Sequence, residues 1–160
     1  MANTTIVENR SLGILEGNRL GTSSIRILLV EDYADYRSFV ARLLGGSSDL
    51  LLICEATDGL EAVAKARELR PDVILMDIGL PRLNGLEAAR RIRDVAPSSK
   101  IVFLSQETDV DVLNEALGLG ATGYVAKGQA ATELLPAIAA VVRGKPFVSS
   151  GLAFGKIDLK

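Results

Sequence analysis

Five polar side chains that could carry out chemistry follow short apolar runs in this sequence. Glu31 and Asp32 come directly after one run, and Asp77 comes directly after another. Ser105 and Lys127 follow two later runs. Each of the five alone could be an ordinary helix cap or surface residue. Together they offer three carboxylates, one hydroxyl and one ammonium, a set that can hold a divalent cation beside a phosphoryl group.

The apolar runs are typical of β-strands in a parallel sheet. They are short and almost continuously apolar, as strands covered on both faces must be. Segments with helical spacing separate them, so the pattern predicts alternating strands and helices. Ligands in such folds bind beyond the carboxyl ends of the strands, so the polar side chains are expected at one edge of the sheet. The predicted strands are Ile25–Val30, Leu50–Cys54, Val73–Met76, Ile101–Leu104 and Gly123–Val125.

Amphipathic segments between and after these runs predict five helices. Asp58 and Asn84 are expected to cap the second and third helices, each with a glutamate three residues later. Thr108 is expected to begin the fourth helix in the same way, with Asp111 three residues later. The first helix is predicted from apolar residues that share one face: Tyr36, Phe39, Val40, Leu43 and Leu44.

The fifth helix is predicted to cover roughly Ala131–Arg143, since Gly144 and Pro146 follow its last residues. Pro136 is unfavourable inside this helix. With Thr132 as the N-cap, Pro136 would remove a helical hydrogen bond, so we expect a slight irregularity or a shifted start.

The composition is that of a globular protein without a strong charge bias. Hydrophobic residues make up 48% of the 160 and charged residues 24%, and the net charge is −2. Because there is no basic patch, no nucleic acid contact by this chain itself is expected, and no membrane binding. No apolar stretch reaches the roughly 18 residues of a membrane span, and no signal peptide is evident. The expected location is therefore cytoplasmic.

Two residue types narrow the chemistry further. The chain has no histidine, which excludes an internal Ser-His-Asp or Cys-His nucleophile system and a His-ligated zinc site. Cys54 is the only cysteine, so no intrachain disulfide can form, and its apolar neighbours predict a buried core residue. The chemistry must therefore depend on carboxylates, hydroxyls and lysine.

The three carboxylates would repel one another at a shared edge, and a divalent cation would remove that repulsion. A site made only of oxygen ligands suits Mg²⁺, and Mn²⁺ would also fit. The cation and Lys127 together could neutralise the oxygens of a phosphoryl group.

On four motifs, the sequence resembles the receiver domains of two-component response regulators, and most of all the NarL/FixJ type. The resemblance covers about three quarters of the chain. It implies a flavodoxin-like (CheY-like), doubly wound α/β fold with a five-stranded parallel sheet of order 2-1-3-4-5 and five helices. The motifs are Ile27–Asp32, Val73–Pro81 with Asn84-Gly85, Leu104-Ser105 and Gly120–Lys127.

The resemblance implies a phosphoacceptor and a metal site. Asp77 would take a phosphoryl group from a sensor histidine kinase or a phosphotransfer protein. Asp32 would bind Mg²⁺ directly, and Glu31 mainly through water. Asp77 and the backbone carbonyl of Gly79 would complete the protein ligands. The chain would thus be a switch and not an enzyme, limited to self-phosphorylation from small donors and slow autodephosphorylation.

The resemblance also implies how the switch would reach the surface. Lys127 would pair with the phosphoryl oxygens, and Ser105 would hydrogen-bond the phosphoryl group. Tyr124 would then change rotamer and alter the face made by the fourth helix, fifth strand and fifth helix, through which a homodimer could form. A half-buried Tyr124 with no switching role is the alternative. Gln106 departs from the small residue usual at its position, so Gln106 and Glu107 are candidate modulators of the reaction rates.

Other functions remain open on the sequence alone. A metal-dependent phosphatase with an Asp nucleophile usually has a second Asp two residues later, where this chain has Gly79. A flavodoxin-like cofactor binder needs a phosphate loop after the first strand, where Glu31 and Asp32 would repel phosphate. A phosphorylation-independent protein-binding module is a further alternative. The expected organisation is a flexible extension over 1–24, a receiver domain over 25–145, and a tail or linker over 146–160, with or without a following output domain.

Overall fold

The protein folds around a six-stranded parallel sheet. The structure is a computed structural model, and it describes residues 24–106 and 109–150. The strands are β1 (Ile25–Val30), β2 (Leu50–Ala56), β3 (Val73–Met76), β4 (Lys100–Ser105), β5 (Gly123–Ala126) and β6 (Phe147–Val148). Their order is β2-β1-β3-β4-β5-β6, and every neighbouring pair is parallel. The first five strands therefore have the predicted order.

Within the described residues, five α-helices cover the two faces of the sheet. They are α1 (Ala34–Gly45), α2 (Gly59–Leu69), α3 (Gly85–Val95), α4 (Val110–Gly118) and α5 (Ala130–Val142), and a 3₁₀ turn (Lys127–Gln129) precedes α5. In the two described ranges, no helix combines the length and the apolarity needed to cross a bilayer.

Alternating side chains of the central strands divide the core into two clusters. On β1, Ile27 and Leu29 face the cluster that includes residues of α1 and α5. Leu28 and Val30 face the cluster that includes residues of α2, α3 and α4. Burial on both faces explains why these strands are almost continuously apolar in the sequence.

The edge strand β2 is less buried than the prediction required. Leu51 is half exposed, and Cys54 is partly buried against the α2–α4 side of the core. The prediction of Cys54 as a buried core residue is therefore confirmed only in part: Cys54 packs against the core but stays partly exposed, on a strand that has a neighbouring strand on one side only.

The caps of α2 and α3 are as predicted, and the cap of α4 is not. Asp58 accepts a hydrogen bond from the Glu61 N–H, and Asn84 accepts one from the Glu87 N–H. Helix α4 begins after Asp109, whose side chain accepts from the Asp111 N–H. Asp109 thus replaces the predicted cap Thr108, which lies outside the described residues.

The start of α5 is shifted, as Pro136 suggested. The helix begins at Ala130, directly after the 3₁₀ turn, and its first residues have no side-chain cap. Thr132 lies inside the first turn, where its hydroxyl donates to the Gln129 carbonyl, so its prediction as the N-cap is wrong. Pro136 is accommodated within the helix on its exposed face.

The sixth strand lies in the segment predicted as a tail. Phe147 and Val148 pair with Gly123 and Tyr124 of β5, so the sheet has one strand more than predicted. Ser149, fully buried, continues this attachment. Its N–H donates to the Tyr124 carbonyl at 2.9 Å, and its hydroxyl accepts from the Ala126 N–H at 2.8 Å.

Glu133 of α5 accepts the hydrogen bonds that attach this segment to the helix. The Ser149 hydroxyl donates to Glu133 Oε1 at 2.6 Å, and the Ser150 hydroxyl donates to Oε2 at 2.9 Å. The hydrogen bond from Ser149 lowers the pKa of Glu133, burial opposes it, and Ser150 adds to the lowering. A group with a lowered pKa stabilises the fold above its ordinary pKa and loses that effect as the pH falls through the folded-state pKa.

We therefore expect residues 147–150 to loosen as the pH falls below the ordinary pKa of a glutamate. The measurement is the NMR chemical shift of the Ser149 amide between about pH 6 and pH 3, across the glutamate range. In Glu133→Gln, which has no carboxylate at this position, the transition in this range should be absent. An identical transition in both proteins would assign it to another carboxylate.

Candidate functional site

The carboxyl ends of four adjacent strands bring the predicted polar residues to one edge. Glu31 follows β1, Asp77 follows β3, Ser105 ends β4, and Lys127 follows β5. Val30 pairs with Met76 at the ends of β1 and β3, and Ser105 pairs with Ala126 at the ends of β4 and β5, while β4 extends two residues beyond the Met76–Phe103 pair. The parallel register is therefore what assembles the site from distant parts of the chain.

Three carboxylates form the centre of this edge. Glu31, Asp32 and Asp77 each place one oxygen within 4.8 Å of the other two. Their surroundings differ, because Glu31 is 1% exposed whereas Asp32 is exposed and Asp77 is partly buried. Glu31 thus brings a negative charge into the protein, where it requires compensation.

Lys127 supplies this compensation. Its Nζ lies 2.7 Å from Glu31 Oε1 and 3.3 Å from Asp77 Oδ2. Burial favours a lower pKa for Lys127, but the contacts with Glu31 and Asp77 outweigh it and raise the pKa above its ordinary value. The lysine is therefore a cation that links two of the three carboxylates.

Tyr36 of α1 contacts Lys127 at two places. Its hydroxyl donates to the Lys127 carbonyl at 3.0 Å, and its ring centroid lies 4.7 Å from Lys127 Nζ. Burial, with the nearby charges of Glu31 and Asp77, raises the pKa of Tyr36 to about 12. The phenol therefore stays protonated and able to donate. Sequence reasoning placed Tyr36 only on the core face of α1. The available signal was a tyrosine four residues after Asp32, at the start of that helix.

A cleft of about 300 Å³ opens beside Asp77. Its lining includes Gly79, Ser105, Gln106 and Lys127. Of these lining residues, Ser105 is buried, whereas Gln106 and Gly79 are exposed. The cleft therefore opens onto Asp77 between a hydroxyl and an ammonium. Glu107 lies outside the described residues.

The acidic cluster fits a hard divalent cation. Glu31 Oε1 is buried and, although Lys127 Nζ is close, has no hydrogen-bond partner of regular geometry among the described residues. The other oxygen of Glu31 accepts from the Tyr33 N–H at 3.0 Å, which fixes the carboxylate. A fixed carboxylate with lone pairs available, beside Asp32 and Asp77, is an oxygen donor set of the kind Mg²⁺ and Mn²⁺ bind.

Comparison with known proteins agrees with this arrangement. The family model described as "Response regulator receiver domain" matches residues 27–139. The chain belongs to this family. The match covers β1 through most of α5, and it includes all the residues of the site described above. It supports the role of a receiver domain of two-component systems and gives no support to the phosphatase alternative.

Two relatives and one solved structure illustrate the similarity. The transcriptional regulatory protein LiaR of Bacillus subtilis is 38% identical over 133 residues, which are 83% of this chain and 63% of that protein. The response regulator GacA of Pseudomonas viridiflava is 36% identical over 129 residues, which are 81% of this chain and 60% of that protein. The chain thus spans about three fifths of the length of these relatives.

The solved structure is the crystal structure of a LuxR-family two-component response regulator from Aurantimonas sp. SI85-9A1. It has a TM-score of 0.78 and 34% identity, and it covers 82% of this chain and 94% of that one. The similarity confirms the receiver fold predicted from the sequence and shows that this chain resembles a LuxR-family regulator.

Tyr124 of this receiver domain lies deeper than a half-buried strand tyrosine would. Its side chain is fully buried, and its ring centroid lies 6.4 Å from that of Phe103. It shares a core cluster with Leu113 and Ala116 of α4. Tyr124 therefore connects the strand that leads to Lys127 with the helix that follows Ser105.

Proposed function

We propose that Asp77 is the phosphoacceptor of this receiver domain, with phosphohistidine on a sensor kinase or phosphotransfer protein as the donor. The observation that carries this proposal is the position of Asp77. It follows a fully buried strand, it opens onto the cleft, and its Oδ2 is 3.3 Å from Lys127 Nζ. No other carboxylate of the cluster lines this cleft.

In the proposed step, an Asp77 carboxylate oxygen forms a bond to phosphorus while the phosphorus–nitrogen bond of the donor breaks. The imidazole leaves and takes up a proton, and Asp77 becomes an acyl phosphate. Lys127 would stay beside Asp77 and pair with a phosphoryl oxygen. Ser105 would donate its hydroxyl to another. Mg²⁺, or Mn²⁺, held by Glu31, Asp32, Asp77 and the Gly79 carbonyl would neutralise charge on the phosphoryl oxygens.

Phosphorylation would act as a switch because it adds about −1.5 to −2 charges at one edge of the sheet. Movement of Ser105 toward the phosphoryl group would move the β4–α4 connection with it. Tyr124 would then change rotamer. The face of α4, β5 and α5 would change, and we propose that it then forms a homodimer or binds a partner. The chain itself would be a phosphoacceptor and not an enzyme acting on an external substrate.

The proposed setting is cytoplasmic signalling that controls transcription. LiaR is named a transcriptional regulatory protein, and it is longer than this chain. We therefore propose a DNA-binding output domain as the element that the receiver controls, with Gln106 and Glu107 modulating how fast the phosphoryl group arrives and leaves.

The decisive experiment uses acetyl phosphate as the donor, with Mg²⁺ or with EDTA, followed by intact mass measurement. We expect one phosphoryl group on the natural protein with Mg²⁺ and none with EDTA. Asp77→Asn should take up none, because an amide oxygen is a poor nucleophile and the amide is a poor metal ligand. Asp94→Asn is the matched control, since Asp94 is exposed near the carboxyl end of α3. Uptake by Asp77→Asn equal to that of the control would refute the assignment.

A further inference from the structure

Tyr36 contacts both the backbone and the side-chain ammonium of Lys127. The Tyr36 hydroxyl bonds the Lys127 carbonyl, and the Tyr36 ring lies against the ammonium at 4.7 Å. The Ala130 N–H donates to the same carbonyl. The backbone of Lys127 is thereby tied both to α1 and to the start of α5, while its side chain crosses the face of the ring.

A lysine needs such support more than a shorter residue would. Its ammonium sits on a flexible four-carbon stem, so a fixed position costs conformational entropy. An aromatic face attracts the ammonium. It also covers one side of the ammonium, where water would otherwise bind. The ring of Tyr36 is itself held by Phe39, with the two centroids 5.4 Å apart.

We propose that Tyr36 is a positioning residue for Lys127, which keeps the ammonium between Glu31 and Asp77 where a phosphoryl group would meet it. This inference rests on the proposed phosphoacceptor role of Asp77. A lysine already in place costs little reorganisation when charge builds up on the phosphoryl oxygens. Tyr36 does not line the cleft itself but contacts Lys127, which does, so its effect acts through the lysine.

The alternative is that Tyr36 serves only to fill the core beneath α1. Tyr36 and Phe39 are both partly buried against the same cluster. A purely structural role predicts similar effects for equivalent changes at the two positions. A positioning role predicts that Tyr36→Leu alters the lysine and the phosphoryl reaction more than Phe39→Leu does, because Phe39 contacts the Tyr36 ring and Tyr36 contacts the lysine. Phe39→Leu is therefore the matched control for Tyr36→Leu.

The test compares Tyr36→Phe, Tyr36→Leu and Phe39→Leu with the natural protein. Initial rates of uptake from acetyl phosphate are measured at saturating Mg²⁺, and Mg²⁺ affinity is measured separately without the donor. We expect Tyr36→Leu to be about tenfold slower, which corresponds to about 1.4 kcal/mol. Tyr36→Phe keeps the ring and loses the hydroxyl, so its rate should fall between those of the natural protein and Tyr36→Leu. Mg²⁺ affinity should change little, because Tyr36 contributes no metal ligand.

A second measurement needs no phosphoryl donor. The Cε protons of Lys127 should show an upfield ring-current shift in the natural protein and in Tyr36→Phe, and lose it in Tyr36→Leu. Failure of the natural protein to take up phosphate would overturn the phosphoacceptor proposal, and this shift would still decide whether Tyr36 holds the lysine. A Tyr36→Leu rate equal to that of the natural protein, or a Phe39→Leu rate equally slow, would overturn the positioning role alone.

Discussion

Lys127→Met is expected to lower the free energy of unfolding of the metal-free protein by about 3 kcal/mol, as removal of one partner from a buried ion pair does. Methionine fills a similar volume, so the main loss is the charge. The Glu31 side chain is 2% exposed and lies 2.7 Å from the ammonium. Without it, Glu31 would remain buried near Asp32 and Asp77 with no cationic side chain in ion-pair contact among the residues that the structure describes. Urea unfolding in EDTA measures this change.

Mg²⁺ should reverse part of this loss. A cation bound among the carboxylates would take over the compensation that Lys127 gives to Glu31. We therefore expect Mg²⁺ to stabilise Lys127→Met more than it stabilises the natural protein, by the usual linkage of ligand binding to folding. Equal stabilisation of both proteins by Mg²⁺ would show that the metal and the lysine do not share Glu31.

A double-mutant cycle separates the charge effect from lost packing. Glu31→Gln keeps the shape of the side chain and removes its charge. If the buried ion pair accounts for the effect, adding Glu31→Gln to Lys127→Met should recover at least about 1 kcal/mol, a coupling typical of residues in contact. Purely additive effects would instead assign the destabilisation to the loss of lysine packing.

The fold was largely predictable because its signals are local. Continuous apolar runs mark the strands buried on both faces, and an Asp or Asn three residues before a glutamate marks α2 and α3. The cap of α4 was misplaced by one residue, since Thr108 and Asp109 are adjacent and both residue types are good caps. Strand β6 has only two residues, Phe147 and Val148, and no period can identify so short a segment. Its strand geometry comes from pairing with β5, which is a tertiary effect.

Part of the candidate site was likewise predictable from the sequence, and part was not. Sequence position relative to the strand ends was enough to bring Glu31, Asp77 and Lys127 to one edge, because parallel strands end together. The contact of Tyr36 with Lys127 joins residues 91 positions apart. Helical spacing places Tyr36 on the sheet side of α1, but it does not show which strand end lies beneath the ring.

Gly85, which the sequence offered only as part of the Asn84-Gly85 motif, lies at a close approach of two backbone segments. A Cβ on Gly85 would lie 2.2 Å from the Asp77 carbonyl oxygen and 2.8 Å from the Ile78 Cα. The Gly85 N–H also donates to the Ile78 carbonyl at 2.7 Å. The first turn of α3 therefore rests directly on the backbone of the proposed phosphoacceptor, with no room for a side chain.

Gly85→Ala should destabilise the protein by about 3 kcal/mol, at the upper end of overpacking effects, since the obstacle is backbone and cannot rotate away. It should also slow phosphoryl uptake by at least about tenfold at temperatures where the variant is folded, because a shift of the Asp77 backbone disturbs the alignment of its carboxylate. Urea unfolding and uptake from acetyl phosphate measure the two effects.

Gly45→Ala is the matched control for this change. Gly45 ends α1, and a Cβ there would meet nothing within 4 Å. Alanine at this position should leave uptake unchanged and stabilise the protein slightly, by up to about 1 kcal/mol, because it restricts the unfolded chain. If Gly85→Ala were as stable and as reactive as Gly45→Ala, the contact between α3 and Asp77 would be looser than the structure shows. In that case β3, and not the contact with α3, would fix the position of Asp77.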